Sequence, residues 1–205
     1  QGRKQSKSAG NVTAPSEIIN KYGAEILRLW VSAEDYTEDI RISDDIVKRL
    51  VESYRKIRNT ARYLLGSLYD FNPDKDRVDI NELYEIDKNI LARWQIVKKK
   101  IYDSYDTYQF HGFYHAFMNF CISDLSSFYL DIIKDRTYSS KADSIARKSA
   151  QTAMFILAKE ICIVISPILS FTADEIWEYL PKWENKSERP RHRQSTRGLP
   201  SYSQD

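Results

Sequence analysis

Cysteine, glycine and proline are all scarce, and the net charge is close to zero. Two cysteines, Cys121 and Cys162, in 205 residues can make neither a four-ligand zinc site nor a disulfide framework. No apolar run reaches the roughly 18 residues of a membrane span, so a soluble protein of the reducing cytoplasm, without a membrane partner, is expected. The formal charge of +2, from 31 Lys+Arg against 29 Asp+Glu, is too small to make the molecule a polycation. Attraction to nucleic acid therefore has to come from local basic faces. The chain starts at Gln1 with neither a Met nor a signal-like segment, and so reads as a fragment or a processed product. Its length allows one large domain or two small ones, burying about 70% of the unfolded surface.

What is present is helical. With only six glycines and six prolines, and with apolar residues at helical spacing, the chain reads as an all-α antiparallel helical bundle from about residue 43 onward. After Ser43, an N-cap residue followed by Asp44 and Asp45, the residues Val47, Leu50, Tyr54, Ile57, Ala61, Leu64 and Leu68 recur at steps of three and four. Asn72-Pro73 closes this element. A second helix is expected from Ile86 to Tyr105, burying Ile90, Trp94, Val97 and Ile101 and leaving Lys98, Lys99 and Lys100 wet. A third carries an aromatic core face of Phe110, Phe113, Phe117, Phe120, Leu125, Phe128 and Ile132. A fourth spans Asp143 to Ile165 and ends before Pro167. A fifth begins at Thr172, where Thr172 with Glu175 has capping-box spacing and Phe171 with Ile176 has hydrophobic-staple spacing.

The two ends differ from this body. Residues 1 to 13, QGRKQSKSAGNVT, are small, polar and basic, and are expected to form a mobile loop ahead of a helix at Pro15 to Tyr22. By composition alone this is first a solvated terminus, although ammonium groups on a small-residue loop also suit a polyphosphate. Residues 182 to 205 lose all apolar periodicity and read as a disordered or frameshifted tail, or else as a basic arm.

Lys4-Gln5-Ser6-Lys7-Ser8, followed by Gly10-Asn11-Val12, resembles the KMSKS signature loop of class I aminoacyl-tRNA synthetases. The blocks Tyr22 to Val31, Asp35 to Ser43, Tyr54 to Thr60, Asp124 to Asp131 and Phe171 to Trp177 continue the likeness in order, in the isoleucyl-tRNA synthetase form. The resemblance implies a KMSKS loop and stem-contact segment over 1–42, the end of a catalytic domain, then an anticodon-binding helical bundle over 43–181, with the tail at 182–205 outside the pattern. It implies a parent isoleucine-tRNA ligase that takes ATP with Mg2+, isoleucine and the isoleucine-acceptor tRNA, and works as a monomer. Lys7 would stabilise the ATP phosphates in adenylation with Lys4 assisting, and Ser6 and Ser8 belong to the same ATP-binding loop. Missing are the nucleotide-binding sheet, the HIGH motif and the editing domain, so this stretch alone should bind no cofactor and activate no amino acid. Gln5 stands where the family has Met, and Ala9 where it has Leu. Both changes weaken seating of the loop more than its charge.

A second candidate surface lies on the first long helix. Lys48, Arg55 and Arg62 are seven residues apart, with Arg49 and Lys56 beside them and Asn59 opposite the apolar seam. Such a face is ordinarily just solvated, but a tRNA is a polyanion and the matching bundle binds one. Lys48, Arg55, Arg58, Asn59 and Arg62 are therefore the expected tRNA-binding residues; Arg58, Asn59 and Arg62 fall in the family-like IRNTxR stretch, where Arg can fork to phosphate and Asn can read a base edge. His111 and His115 have the i, i+4 spacing of a zinc pair, but Gly112 follows where a zinc protease needs Glu, so no metal site is expected. Two other readings stay open: a helical bundle that binds protein partners, and a non-catalytic tRNA-binding relative of the synthetases.

Overall fold

The computed structural model describes residues 14–37 and 42–183. The readings for the loop at 1–13, with Lys4, Ser6, Lys7 and Ser8, and for the tail beyond residue 183 lie outside the described residues. Those residues form eight α-helices, a π-helical segment and one 3-10 turn, and no β-strand is found among them. Helix α1 (Pro15–Tyr22) opens with proline in its first turn, where no N–H is needed. It ends at Gly23, whose N–H donates to the Ile19 carbonyl at 2.9 Å and whose φ of 91° suits a residue without Cβ. Helix α2 (Ala24–Ala33) starts directly after it. Gly23→Ala is expected to lower stability by about 1 kcal/mol or more, read as a drop in thermal midpoint; an unchanged midpoint would contradict the strained turn.

Helix α3 (Asp44–Gly66) follows the expected seam. The Ser43 hydroxyl accepts from the Ile46 N–H at 3.3 Å. Val47, Leu50, Ile57, Leu64 and Leu68 are buried, and Tyr54 and Ala61 are half-buried. Helix α4 (Glu85–Asp106) buries Ile90, Trp94 and Ile101, with Val97 and Lys98 half-buried and Lys99 and Lys100 exposed. Three residues separate it from α5 (Phe110–Asn119), short enough that the two run antiparallel. Then come the π-helical segment Phe120–Leu130, α6 (Asp131–Ser139), α7 (Ile145–Ile165) and α8 (Ser170–Tyr179).

The described chain packs into two compact units. The first comprises the residues up to Arg62 together with Ile90–Ile132. In it α2 packs on α1 and α5, and Trp94 lies against Phe120 with ring centroids 5.0 Å apart. Tyr105, Phe113 and Phe117 stack in series at 5.4 and 5.6 Å. The π-helical segment corrects the expected core face. Phe128 and Ile132 are 42% and 50% exposed, while Tyr129 and Ile133 are fully buried. A hydrogen-bond step of five residues widens each turn, so the buried side advances from Phe120 to Leu125 and then to Tyr129 and Leu130. Extrapolating steps of three and four lands one residue short.

The second unit comprises Tyr63–Asn89 and the residues from Ile133 on. Its centre is α7, where Ala150, Ala153, Met154, Leu157, Cys162 and Ile165 are buried. Polar side chains of α7 hold the irregular connection between α3 and α4, whose backbone groups need partners. Thr152 Oγ1 accepts from the Val78 N–H at 3.1 Å, and Ser149 Oγ accepts from the Tyr84 N–H at 2.9 Å. Gln151 Nε2 donates to the Ser67 carbonyl at 3.0 Å and to Asp70 at 2.8 Å. Arg147 pairs with Asp70 at 2.8 Å and Lys148 with Asp76 at 2.9 Å. The Lys148 hydrogen bond, together with the Asn72 N–H, holds the Asp76 carboxyl below its ordinary range. Asp87, fully buried, receives both ends of the Arg136 guanidinium at 2.7 and 3.2 Å and the Ser149 hydroxyl at 2.6 Å.

The start of α8 is a second correction. The chain turns straight from α7, with the Leu169 N–H on the Ile165 carbonyl at 2.8 Å and the Ser170 hydroxyl on the Ser166 carbonyl at 2.9 Å. Helix α8 therefore begins at Ser170, Thr172 is a buried residue inside it, and Phe171 is 70% exposed. Thr172 is therefore not the N-cap that the capping-box and staple spacing implied, because the tight turn fixes the start two residues earlier. Both cysteines are buried and free; burial pushes the Cys162 thiol up to about 12 and lifts Cys121 as well. Both are thus protonated at about pH 8, and neither is expected to react with a disulfide reagent such as Ellman's until the protein unfolds. Rapid labelling of the native protein would contradict this.

Candidate nucleic-acid interface

At 100° per residue, Lys48, Arg55, Asn59 and Arg62 fall within a sector of about 60° on α3, nearly opposite the buried seam, and span about 21 Å along the axis. All four are exposed, as are Arg49 and Lys56 on the flank. Helix α3 carries six basic residues (Lys48, Arg49, Arg55, Lys56, Arg58, Arg62) and three acidic ones (Asp44, Asp45, Glu52). Lys48, Arg49, Lys56 and Arg62 make no ion pair with another described residue. Arg55 pairs with Glu52 at 2.9 Å, but the two side chains are 63% and 59% exposed, and a wet pair of that kind is worth little. Arg55 can exchange Glu52 for a phosphate at small cost.

Arg58 is set apart from this strip. It lies about 70° from the centre of the apolar seam and is half-buried. Its Nη1 donates to the Tyr54 hydroxyl at 3.3 Å, and its guanidinium sits 5.9 Å from the Tyr54 ring centroid. Tyr54 in turn donates to Glu25 Oε2 on α2 at 2.9 Å, and Glu25 is buried. The structure therefore joins Lys48, Arg55, Asn59 and Arg62 on one outer face and ties Arg58 to α2. Sequence reasoning missed Glu25 and Tyr54 as the anchors of Arg58. The available signal was a lone Glu on the apolar side of α2.

Two hydroxyl pairs fix α3 against its neighbours within the first unit: Ser53 with Tyr114 at 3.0 Å and Thr60 with Ser126 at 3.2 Å. The latter brings the exposed Ser126 of the π-helical segment beside the basic flank. Chemically the arrangement is a rigid rod with spaced cations and hydroxyls, suited to a sugar-phosphate backbone. No group of three or more His, Cys, Asp or Glu among the described residues is placed to hold a metal ion.

Comparison with known proteins gives consistent results. Residues 87–198, more than half of the chain, match the family model for the anticodon-binding domain of tRNA ligase. Residues 1–43 match the model for class I tRNA synthetases (I, L, M and V). The chain is 54% identical over 187 residues to the isoleucine–tRNA ligase of Syntrophotalea carbinolica and 52% identical over 186 residues to that of Geobacter sulfurreducens. Each match covers 91% of this chain and 20% of the relative, so the chain spans about a fifth of the length of these curated relatives. In fold it is similar to the LeuRS chain in a crystal structure of the ternary complex of Agrobacterium radiobacter K84 agnB2 LeuRS, tRNA and LeuAMS. The TM-score is 0.63 at 18% identity, covering 89% of this chain and 21% of that one.

Proposed function

We propose, from the premise that the chain belongs to the family of anticodon-binding domains of tRNA ligases, that it serves as the tRNA-binding part of an isoleucine–tRNA ligase. The observation that carries this reading is the exposed strip of Lys48, Arg55, Asn59 and Arg62 on α3, nearly opposite the buried seam of Val47, Leu50, Ile57 and Leu64. Lys48, Arg55 and Arg62 meet phosphates, and Asn59 reaches a base edge or sugar hydroxyl. Arg58, held by Tyr54, whose hydroxyl in turn donates to Glu25, reinforces this face from its side. In the intact enzyme residues 1–42 supply the KMSKS loop and stem contact and 43–181 the bundle. Lys7, helped by Lys4, Ser6 and Ser8, holds the phosphates of ATP, which enters with Mg2+, while isoleucine is activated and passed to its tRNA. The enzyme acts as a cytoplasmic monomer.

A filter-binding titration of the chain against an isoleucine-acceptor tRNA at several salt concentrations tests this. Three phosphate contacts predict a slope of log K against log salt of about −2 to −3. No detectable binding at about 50 mM salt would overturn the reading.

A further inference from the structure

Turns of π-helix are rare and usually come singly, yet here they run over the eleven residues Phe120–Leu130. The helix does not break at either junction, since Asn119 (φ −61°, ψ −44°) and Asp131 (φ −68°, ψ −46°) keep helical angles. The buried side steps by five from Phe120 to Leu125 and by five again to Leu130, then by three and four to Ile133 and Thr137. A second path fits the same stretch. From Cys121, ordinary steps of four, three and four run through Leu125, Phe128 and Ile132, and a single step of five then regains Thr137.

Little in the core separates the two paths. Phe128 stands beside Tyr129 and Ile132 beside Ile133, so changing path swaps a phenol for a phenyl ring and one isoleucine for another. Swaps that conserve volume cost a core little. In the structure Tyr129 and Ile133 are buried while Phe128 and Ile132 are exposed, and two contacts hold that choice. The Arg93 guanidinium, paired with Asp124, sits 5.8 Å from the Phe128 ring centroid and gives the ring a partner outside the core. Ser126 shares a hydrogen bond of 3.2 Å with Thr60 on α3.

We infer that this segment is a two-register device, whose widened turns migrate from Phe120–Leu130 toward α6 and carry Phe128 and Ile132 into the core as Tyr129 and Ile133 leave it. Residues after Leu125 then rotate by one helical position, about 100°, so Phe128 leaves Arg93 and Ser126 leaves Thr60. Thr60 follows Asn59 in α3, and the register in place therefore decides whether the segment braces the exposed basic strip. Register shifts of helices take microseconds to milliseconds, and minor states of this kind are populated at about 0.1–10%. The device needs no RNA and stands whether or not α3 binds tRNA.

The test is fluorine NMR relaxation dispersion on the full chain, with 4-fluorophenylalanine at all eight phenylalanines. That fluorine lies on the ring axis and is blind to ring flips. The Phe128 resonance, assigned by its loss in Phe128→Leu, is expected to exchange with a minor state, while that of the buried Phe113 is expected to show no exchange. Ile132→Gln places a polar group where the second register buries it, and is expected to lower the minor population at least about fivefold. Its thermal midpoint should stay at the parent's, because Ile132 is exposed in the observed register. Arg93→Ala removes the outer partner of the Phe128 ring and is expected to raise the minor population at least about threefold. Absence of exchange at Phe128, exchange of equal size in Ile132→Gln, or an unchanged minor population in Arg93→Ala would each overturn the proposal. A fall of more than about 5 °C in the midpoint of Ile132→Gln would overturn it too, by placing Ile132 in the core of the main state.

Discussion

Reversing charge at Arg55 and Arg62 together is expected to weaken tRNA binding by about 2–3 kcal/mol, roughly 30- to 150-fold in Kd, near 0.1 M salt. Both side chains are exposed, and among the described residues Arg55 pairs only with the equally wet Glu52. The substitution therefore removes two phosphate contacts and adds two repulsive charges without touching the core. Helicity by circular dichroism should be unchanged. The salt dependence should flatten by about two in slope, a signature that a general loss of folding does not produce. Unchanged affinity in this double variant would count against α3 as the contact surface. Arg58 offers an internal comparison. Tyr54→Phe removes the hydroxyl between Arg58 and Glu25 and should weaken tRNA binding only severalfold, because the guanidinium keeps its place over the ring.

The largest stability effect is expected at Asp87. This carboxylate has 0% exposure, in the first turn of α4, where the positive helix end favours it. Its oxygens receive a bidentate Arg136, itself only 19% exposed, and the Ser149 hydroxyl. Asp87→Ala leaves a mostly buried guanidinium without its counter-charge, and losses of about 3–5 kcal/mol follow from breaking such a pair on one side. For a chain of this size that is a fall of about 6–20 °C in thermal midpoint. Replacing both partners with apolar residues, as in Asp87→Leu with Arg136→Met, should recover a large part of the loss, since no charge is then stranded. A single Asp87→Ala costing under about 1 kcal/mol would show that the pair does not hold this region.

The fold was legible wherever an ordinary α-helical period carried the core. Val47, Leu50, Ile57 and Leu64 on α3, Leu68 just beyond its end, and Ile90, Trp94 and Ile101 on α4 sit where steps of three and four put them. The same arithmetic placed Lys48, Arg55, Asn59 and Arg62 on one exposed face. It failed where hydrogen bonding departs from the α pattern. In the π-helical segment the period lengthens, so Tyr129 and Ile133 replace Phe128 and Ile132 in the core. At α8 a tight turn from α7 sets the start, and local capping spacing at Thr172 is overridden by burial of that residue. The clasp of α7 on the connection after α3 left only a faint trace, Ser149, Gln151 and Thr152 in an otherwise apolar run, because its partners are 62 to 84 residues away in sequence.

The placement of the tryptophans gives each compact unit its own optical reporter. Trp177 and Trp183 lie 5.5 Å apart, nearly edge-on to one another, with Phe155 and Lys159 also against Trp183. Indoles this close share their excited states, so the pair should give a near-ultraviolet dichroism band that Trp183→Phe abolishes. Trp94, sealed against Phe120 in the other unit, should emit to the blue of an exposed indole. Following the indole couplet and the blue emission during the same thermal ramp would reveal whether the two halves melt together or in sequence.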